Sequence, residues 1–173
     1  IETSVVDSIR KRFNAVYDCL KKYRGKVYGY MFTFTVAKPE DEENAIEDIG
    51  RCWNTLRHRV VRKAGAKVLV TIHKKEFQQR EVIHFHYVVY TGRQLYKNRV
   101  PDWLKADLGI WKWGMTRVER VKRPLKYILS YIKKKKGKKN ILRFAQDIQL
   151  LRERYPRKNL WYVYINNMFK DIY

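Results

Sequence analysis

Hydrophobic positions along the chain recur at two different spacings, and each change of spacing marks a predicted element. Helical spacing predicts long amphipathic helices over residues 3–24, 41–62 and 139–154. Alternating or continuous apolar runs predict strands over residues 27–36, 67–77, 81–90 and 111–121. Residues 160–165 fit a last strand or the start of a helix equally well. This mixture, with a hairpin at its centre, predicts an α+β fold with a central antiparallel β-sheet and flanking helices, mainly on one face.

Two prolines predict the start of further helices. Pro101 opens a short helical turn, and Pro124 begins a helix that runs through two tyrosines into the lysine run at 133–136. Gly137 is expected to end this helix, because glycine is unfavourable in a helix interior. The tyrosines are therefore expected on a helix that follows the strands.

Composition adds charge to this picture. The chain has 39 Lys and Arg residues against 17 Asp and Glu residues, which gives a net charge of +22. Such a field favours polyanions, most often nucleic acid, although a basic ribosomal or thermophile surface protein has the same balance. A hydrophobic content of 45% excludes a disordered polycation. We expect one domain over residues 1–173, excised from a longer chain.

The sequence gives no sign of a membrane or disulfide-stabilised protein. No apolar run reaches about 18 residues, so no membrane span is expected. Cys19 and Cys52 lie far apart in helical patterns, without the spacing of a disulfide framework or a zinc site. We interpret both as buried thiols in a reducing compartment and expect a cytoplasmic protein.

Two histidines interrupt the predicted strand at residues 82–90. Side chains of a strand alternate between faces, so His84 and His86 share one face and Phe85 lies on the other. Burying two neutral imidazoles without partners would cost several kcal/mol, so we expect both to be hydrogen-bonded or bound to a metal. Two imidazoles on a rigid strand are suited to a divalent ion such as Mg²⁺ or Mn²⁺.

A third metal ligand would come from the neighbouring strand of the hairpin, whose turn lies near residues 78–80. If the hairpin is tight about the first two of these residues, His73 pairs with His84 and shares its face. If the tip is Arg80, Glu76 takes that place instead. One register excludes the other unless a bulge intervenes, so His73 and Glu76 both stay candidates.

The predicted helix after Pro124 carries a second group of candidate residues. Tyr127 and Tyr131 are four residues apart, so their phenols share a face, and Lys134 lies on it too. A phenolate that attacks a metal-polarised phosphodiester would leave a covalent phosphotyrosine, and the lysine would offset charge on the phosphate. The alternative is an aromatic stripe that packs on the sheet beside solvated lysines.

Together these motifs resemble the HUH endonuclease superfamily, specifically the rolling-circle replication initiators (Rep proteins) of plasmids and single-stranded DNA viruses. The resemblance covers roughly residues 27–136 and keeps the order typical of Rep proteins, with the tyrosines after the histidines. The matching segments are Phe32-Thr33-Phe34-Thr35 for the first motif, His84-Phe85-His86 for the metal motif and Tyr127-x-x-x-Tyr131-x-x-Lys134 for the tyrosine motif.

The resemblance implies an RRM/ferredoxin-like HUH fold and a metal-dependent endonuclease that nicks single-stranded DNA at an origin or hairpin. A tyrosine would become joined to the 5′ phosphate, and the released 3′ hydroxyl would prime rolling-circle replication or later reverse the step. Many relatives carry a lysine where this chain has Ser130, which favours Tyr131 as the main nucleophile. Tyr127 would then be a second nucleophile, a proton-transfer partner or a packing residue.

Basic and aromatic residues near the tyrosines are candidates for contacting DNA. Tryptophans 103, 111 and 113 are candidates for stacking on unpaired bases. The expected partners are a single-stranded origin or hairpin, and a helicase and host replication proteins. Two alternatives remain open: an HUH single-strand transposase, and a non-catalytic nucleic-acid-binding module with structural histidines. The basic candidates are Arg117, Arg120, Lys122, Arg123 and Lys126.

Overall fold

A computed structural model of the chain describes residues 3–77 and 82–172, with the side chains of these ranges except those of Lys134 and Lys136. The described helices are α1 (Thr3–Lys22), α2 (Glu42–Ala64), α3 (Asp102–Leu108), α4 (Pro124–Ile132) and α5 (Lys134–Arg154). The described strands are β1 (Tyr28–Thr35), β2 (Val68–Phe77), β3 (Ile83–Thr91), β4 (Thr116–Val121) and β5 (Tyr162–Ile165). Single turns of 3₁₀ helix lie at Pro39–Asp41 and Asn167–Phe169.

The five strands form one antiparallel sheet in the order β4-β1-β3-β2-β5, so the histidine-bearing strand β3 lies at its centre. This confirms the predicted α+β fold. Helices α1, α4 and α5 pack together on one face, where rings from each of them meet. On the other face, Trp53 of α2 stacks on Tyr87 of β3 with ring centroids 4.1 Å apart. Helices therefore cover both faces, which corrects the expectation that one face carries most of them.

The register of the hairpin decides between the two candidate ligands. Glu76 pairs with His84, and Phe77 pairs with Ile83, which centres the turn on Arg80. The second of the two predicted registers is therefore correct, and the first, which paired His73 with His84, is wrong. The turn itself, predicted near residues 78–80, lies outside the described residues.

The region of the tyrosines differs from its prediction. Helix α4 ends at Ile132, because Lys133 has an extended backbone (φ −61°, ψ 135°), and α5 then begins at once. Gly137 lies inside α5, so the expectation that it ends a helix is wrong. It is needed for a close approach instead, because a Cβ there would lie 2.7 Å from both the carbonyl carbon and the carbonyl oxygen of Tyr131.

Two smaller differences also have a local cause. Strand β4 begins at Thr116 and not at residue 111, because the Trp111 side chain is buried and its indole donates to the carbonyl of Thr35 at 2.8 Å. Residues 162–165 form a strand, which resolves the ambiguous last segment. Cys19 and Cys52 are free and buried, as predicted.

Candidate active site

His84 and His86 lie on the same face of the sheet as α4 and α5. The Nδ1 atom of His86 lies 3.1 Å from the hydroxyl of Thr33, its partner across β1. With Nδ1 donating to this hydroxyl, Nε2 carries the lone pair that a metal would need. His84 is half-buried, and burial lowers the pKa of its imidazole, followed by the repulsion from His86. Both rings thus have the neutral form that binds metal available at neutral pH.

Glu76 joins these histidines from β2. Its Oε1 atom lies 2.7 Å from Nε2 of His86, yet this buried nitrogen makes no hydrogen bond. The contact therefore brings a carboxylate oxygen and an imidazole nitrogen together outside the direction in which a ring N–H would donate. Burial alone would raise the pKa of Glu76, but His86 and Lys74 lower that pKa to about 2. The side chain is a carboxylate at any physiological pH.

His73 belongs to a different environment and is corrected as a candidate ligand. It lies on the opposite face of the sheet, where its ring stacks on Tyr87 with centroids 4.0 Å apart. Its Nδ1 atom lies 3.1 Å from the backbone carbonyl of His86, and its Nε2 atom lies 2.9 Å from Nζ of Lys75. Burial holds the pKa of His73 well below its usual range. Both ring nitrogens are occupied in a neutral, structural histidine.

The chemistry of His84, His86 and Glu76 fits a hard or borderline divalent cation. Two neutral imidazoles and one carboxylate supply three ligands, and the Thr33 hydroxyl supplies the outer contact that orients one of them. The rings of His84 and His86 are 6.4 Å apart at their centroids. As oriented in the two described ranges, no three His, Cys, Asp or Glu side chains already surround a common point for a metal ion.

Tyr131 reaches this group from α4. Its hydroxyl accepts a hydrogen bond from Nζ of Lys74 at 2.9 Å. Its ring stacks on Phe13 of α1 at 4.3 Å and meets Phe144 of α5 edge-on at 6.4 Å. The side chain is therefore clamped between two helices while its polar end points to the sheet.

Tyr127 lies one turn earlier on the same helix but has a different environment. Its ring is 5.7 Å from that of Tyr131, and its hydroxyl is buried without a hydrogen-bond partner among the described residues. Burial raises the pKa of the Tyr127 phenol, and Lys74 only partly opposes this effect. Tyr127 is thus harder to ionise than an exposed tyrosine, and its hydroxyl is shut off from solvent.

Lys74 connects the two groups, and the sequence argument missed it. Its Nζ atom lies 2.9 Å from the Tyr131 hydroxyl and 3.5 Å from Oε1 of Glu76. Burial alone would lower the pKa of Lys74, but Tyr127, Tyr131 and Glu76 raise it, so the side chain is an ammonium. A signal was present, because the register that pairs Glu76 with His84 also pairs Lys74 with His86.

A cavity of about 110 Å³ opens beside Tyr131 and Glu76. Its outer wall comes from α5 and includes Asn140, Arg143 and Asp147. Asn140 is fixed by a 2.8 Å hydrogen bond from its side-chain amide to the carbonyl of Ser130. Burial raises the pKa of Asp147 to about 6. These polar residues were not predicted, because helical periodicity identifies the apolar face of α5 and not what its polar face meets.

The remaining predicted residues are distributed around this centre. Arg117 shares the face of the histidines through its pairing with Thr33, and it donates to Glu119 at 3.1 Å. Arg120 lies on the opposite face and donates to the carbonyl of Lys97, so the structure does not bring it to the histidines. The side chain of Lys134 lies outside those described. The exposed residues near the start of α4 are Lys122, Arg123 and Lys126.

The three candidate tryptophans are only partly available for stacking on bases. Trp111 is 4% exposed and belongs to the core, so the stacking expectation is wrong for this residue. The indole of Trp113 donates to Asp48 at 2.9 Å, and Nζ of Lys63 lies over the ring of Trp103 at 5.7 Å. Both rings are half-buried by these contacts.

Comparison with known proteins gives one match. A sequence model of the family described as replication-associated protein ORF2 matches residues 29–136, more than half of the 173 residues. The matched range contains both histidines, Glu76 and both tyrosines. No curated protein and no solved structure matches the chain. Within the described part of the chain, no helix combines the length and the apolar character of a membrane span.

Proposed function

This chain belongs to the replication-associated protein ORF2 family, and we propose that it nicks and rejoins single-stranded DNA at a replication origin through Tyr131. The observation that carries the proposal is a continuous series of contacts on one face of the sheet. The Tyr131 hydroxyl contacts Lys74, Lys74 contacts Glu76, and Glu76 contacts His86. A nucleophile and a candidate metal site thus stand one lysine apart.

The proposed cut is a transesterification. The phenol oxygen of Tyr131 attacks the phosphorus of a phosphodiester, and its proton passes to solvent. The bond from phosphorus to the 3′ oxygen breaks, and this oxygen takes up a proton and leaves as a free 3′ hydroxyl. The 5′ phosphate stays joined to the tyrosine, so a later 3′ hydroxyl can reverse the step. This chemistry is that of the HUH superfamily, whose assignment to this chain is part of the proposal.

Tyr131 is preferred to Tyr127 as the nucleophile for two reasons. Its hydroxyl is hydrogen-bonded to the ammonium of Lys74, which stabilises the phenolate that forms during attack. It also borders the cavity that Glu76 and Arg143 line, whereas the Tyr127 hydroxyl is buried. Tyr127 then supports the position of Tyr131, with which its ring is in contact.

His84, His86 and Glu76 would hold the metal, and Mg²⁺ or Mn²⁺ suits this donor set. When bound, the ion would polarise the scissile phosphate as a Lewis acid. Thr33 orients His86 for this role through the contact to Nδ1. Lys74 keeps the phenol beside the carboxylate and offsets negative charge there, a role that Lys134 would share.

The bound strand would follow the basic residues on the tyrosine side. Arg117 on the catalytic face and Lys122, Arg123 and Lys126 at the start of α4 would contact phosphates. Each phosphate that they neutralise releases a counterion, so affinity for DNA should fall steeply as salt rises. A helicase and host replication proteins would then use the free 3′ end.

A labelled single-stranded origin oligonucleotide with Mg²⁺ or Mn²⁺ tests the proposal. A protein–DNA adduct should appear on a denaturing gel, and it should disappear with Tyr131→Phe. Tyr127→Phe is the matched control, because it removes the same atom from the neighbouring tyrosine and should keep the adduct. An adduct that survives in Tyr131→Phe but not in Tyr127→Phe would reverse the roles. An adduct that survives in the double variant would end the idea of a tyrosine nucleophile.

The metal has a separate test that does not depend on DNA cleavage. Calorimetric titration with Mn²⁺ should show one site in the unsubstituted chain and none in the variant with His84→Ala and His86→Ala. His58→Ala is the matched control, since this exposed histidine of α2 lies away from the site and its loss should change nothing. Equal heats in all three proteins would show that the histidines bind no metal and would favour a non-catalytic DNA-binding module.

A further inference from the structure

A second cavity lies on the other face of the sheet, far from the tyrosines in the fold. It is a groove of about 610 Å³ between α2 and the margin of the sheet formed by β2 and β5. We call it the reverse-face groove. The lining residues that matter for its chemistry are Trp53, Arg57, His58, Lys67, Tyr162 and Tyr164.

The groove exists because α2 covers only the middle of the sheet. Trp53 anchors α2 over the central strands through its stacking on Tyr87 and an edge contact with Phe32. The outer strands β2 and β5 stay uncovered beside it, and the register puts Tyr162 and Tyr164 on this face, opposite His73 and Thr71. Tyr164 is 46% exposed, one of the large exposed hydrophobic residues of the described chain.

The floor of the groove is held firmly at the end of β5. The side-chain amide of Asn166 donates to the carbonyl of Val68 at 2.9 Å, and the backbone N–H of Asn166 donates to the carbonyl of Leu69 at 2.9 Å. An exposed ring on a fixed strand loses little freedom on binding a ligand, which is the property of a stacking platform.

The charge of the groove indicates what it binds. Arg57 and Lys67 line it as cations, His58 lies beside them, and no Asp or Glu is among its described lining residues. The volume lies within the range of about 300–1,000 Å³ that ligand sites occupy. Rings that accept a base and cations that accept phosphate are the combination used for unpaired nucleic acid.

We propose that the reverse-face groove binds a segment of single-stranded DNA, with a base stacked on Tyr164 and phosphates near Arg57 and Lys67. The groove lies on the face opposite His84 and His86, so the strand that it holds is separate from the segment at Tyr131. The binding does not require a nick, and the site therefore stands or falls independently of the proposed chemistry. An origin that is opened into single strands would supply such a second segment.

Photo-crosslinking locates the bound strand directly. An oligonucleotide that carries 5-iodo-deoxyuridine is irradiated with the full chain in EDTA, where no metal-dependent nick is expected, and the linked peptides are identified by mass spectrometry. We expect crosslinks on Tyr164 or Tyr162. Crosslinks confined to residues of the tyrosine side, at every position of the iodinated base, would overturn the proposal.

Affinity measurements with paired variants give the second readout. Fluorescence anisotropy in EDTA should show binding weakened roughly 5- to 100-fold by Tyr164→Ala and restored by Tyr164→Phe, since the ring carries the stacking. Arg57→Ala should weaken binding and reduce its salt dependence, whereas Arg59→Ala removes the same charge from the same helix outside the groove and should do less. Equal effects of the two arginine variants, or no loss with Tyr164→Ala, would refute the site.

Discussion

Gly137 offers a sharp test of how α4 and α5 are held together, because one added methyl group should act in opposite ways at two glycines. Its N–H donates to the carbonyl of Lys133 at 2.6 Å, so the backbone is fixed where α5 crosses the end of α4. In Gly137→Ala the new Cβ would lie 2.7 Å from the carbonyl group of Tyr131 and 2.9 Å from the carbonyl carbon of Ile132. These neighbours are main chain and cannot rotate away.

The expected magnitude follows from two opposing terms. Alanine in place of glycine favours a helix by up to about 1 kcal/mol. Overpacking against fixed atoms costs about 1–3 kcal/mol. We therefore expect Gly137→Ala to lower the free energy of unfolding by about 1–2 kcal/mol. Gly50→Ala is the matched control, since Gly50 is exposed in the middle of α2 and a Cβ added there would have no heavy atom within 4 Å, so this variant should gain about 0.5–1 kcal/mol.

Urea unfolding followed by tryptophan fluorescence measures both changes. The second readout is the rate of adduct formation on the origin oligonucleotide, which should fall for Gly137→Ala because the displaced backbone carries Tyr131 away from Lys74. Gly50→Ala should leave this rate unchanged. If both variants gained stability equally and formed the adduct at the unsubstituted rate, the close contact between the two helices would be refuted.

Three further predictions concern other parts of the chain. Glu42→Ala should lower the free energy of unfolding by about 2–3 kcal/mol in urea titrations, because the buried carboxylate accepts from the amide of Ile83 and the hydroxyl of Tyr155. Asp48 has its pKa lowered, chiefly by the hydrogen bond from Arg51. Its contribution to stability should be complete above about pH 4 and lost as pH falls through the lowered folded pKa, so the penalty of Asp48→Asn should be larger at pH 7 than at pH 3. Lys74→Met should slow adduct formation roughly 100-fold at saturating DNA while Mn²⁺ binding persists, which single-turnover gels and calorimetry would measure.

The fold and much of the site could be predicted from local patterns. The alternation around His84 and His86 determines which side chains share a face, and the spacing of Tyr127 and Tyr131 does the same on a helix. Both rules depend only on backbone geometry, which the residue types strongly favour. The relation between the two elements could be expected only through the family resemblance.

The missed features depend on contacts between distant parts of the chain. The register that separates Glu76 from His73 is fixed by a turn without a strong sequence signature. Gly137 has the local character of a helix terminator, but the crossing of two helices uses its missing side chain instead. Arg143 and the rest of the cavity wall become relevant only once α5 has packed against β2, which no periodicity reveals.

The rings that clamp Tyr131 have a practical consequence for trimming the protein. Phe13 and Phe144 press on the phenol from the two sides, and both lie outside residues 29–136. A fragment restricted to that range would retain the imidazoles, the carboxylate and both phenols, yet the tyrosine would have lost its two aromatic supports. The smallest piece that keeps the nucleophile aimed must therefore extend in both directions past the stretch by which its kinship is recognised.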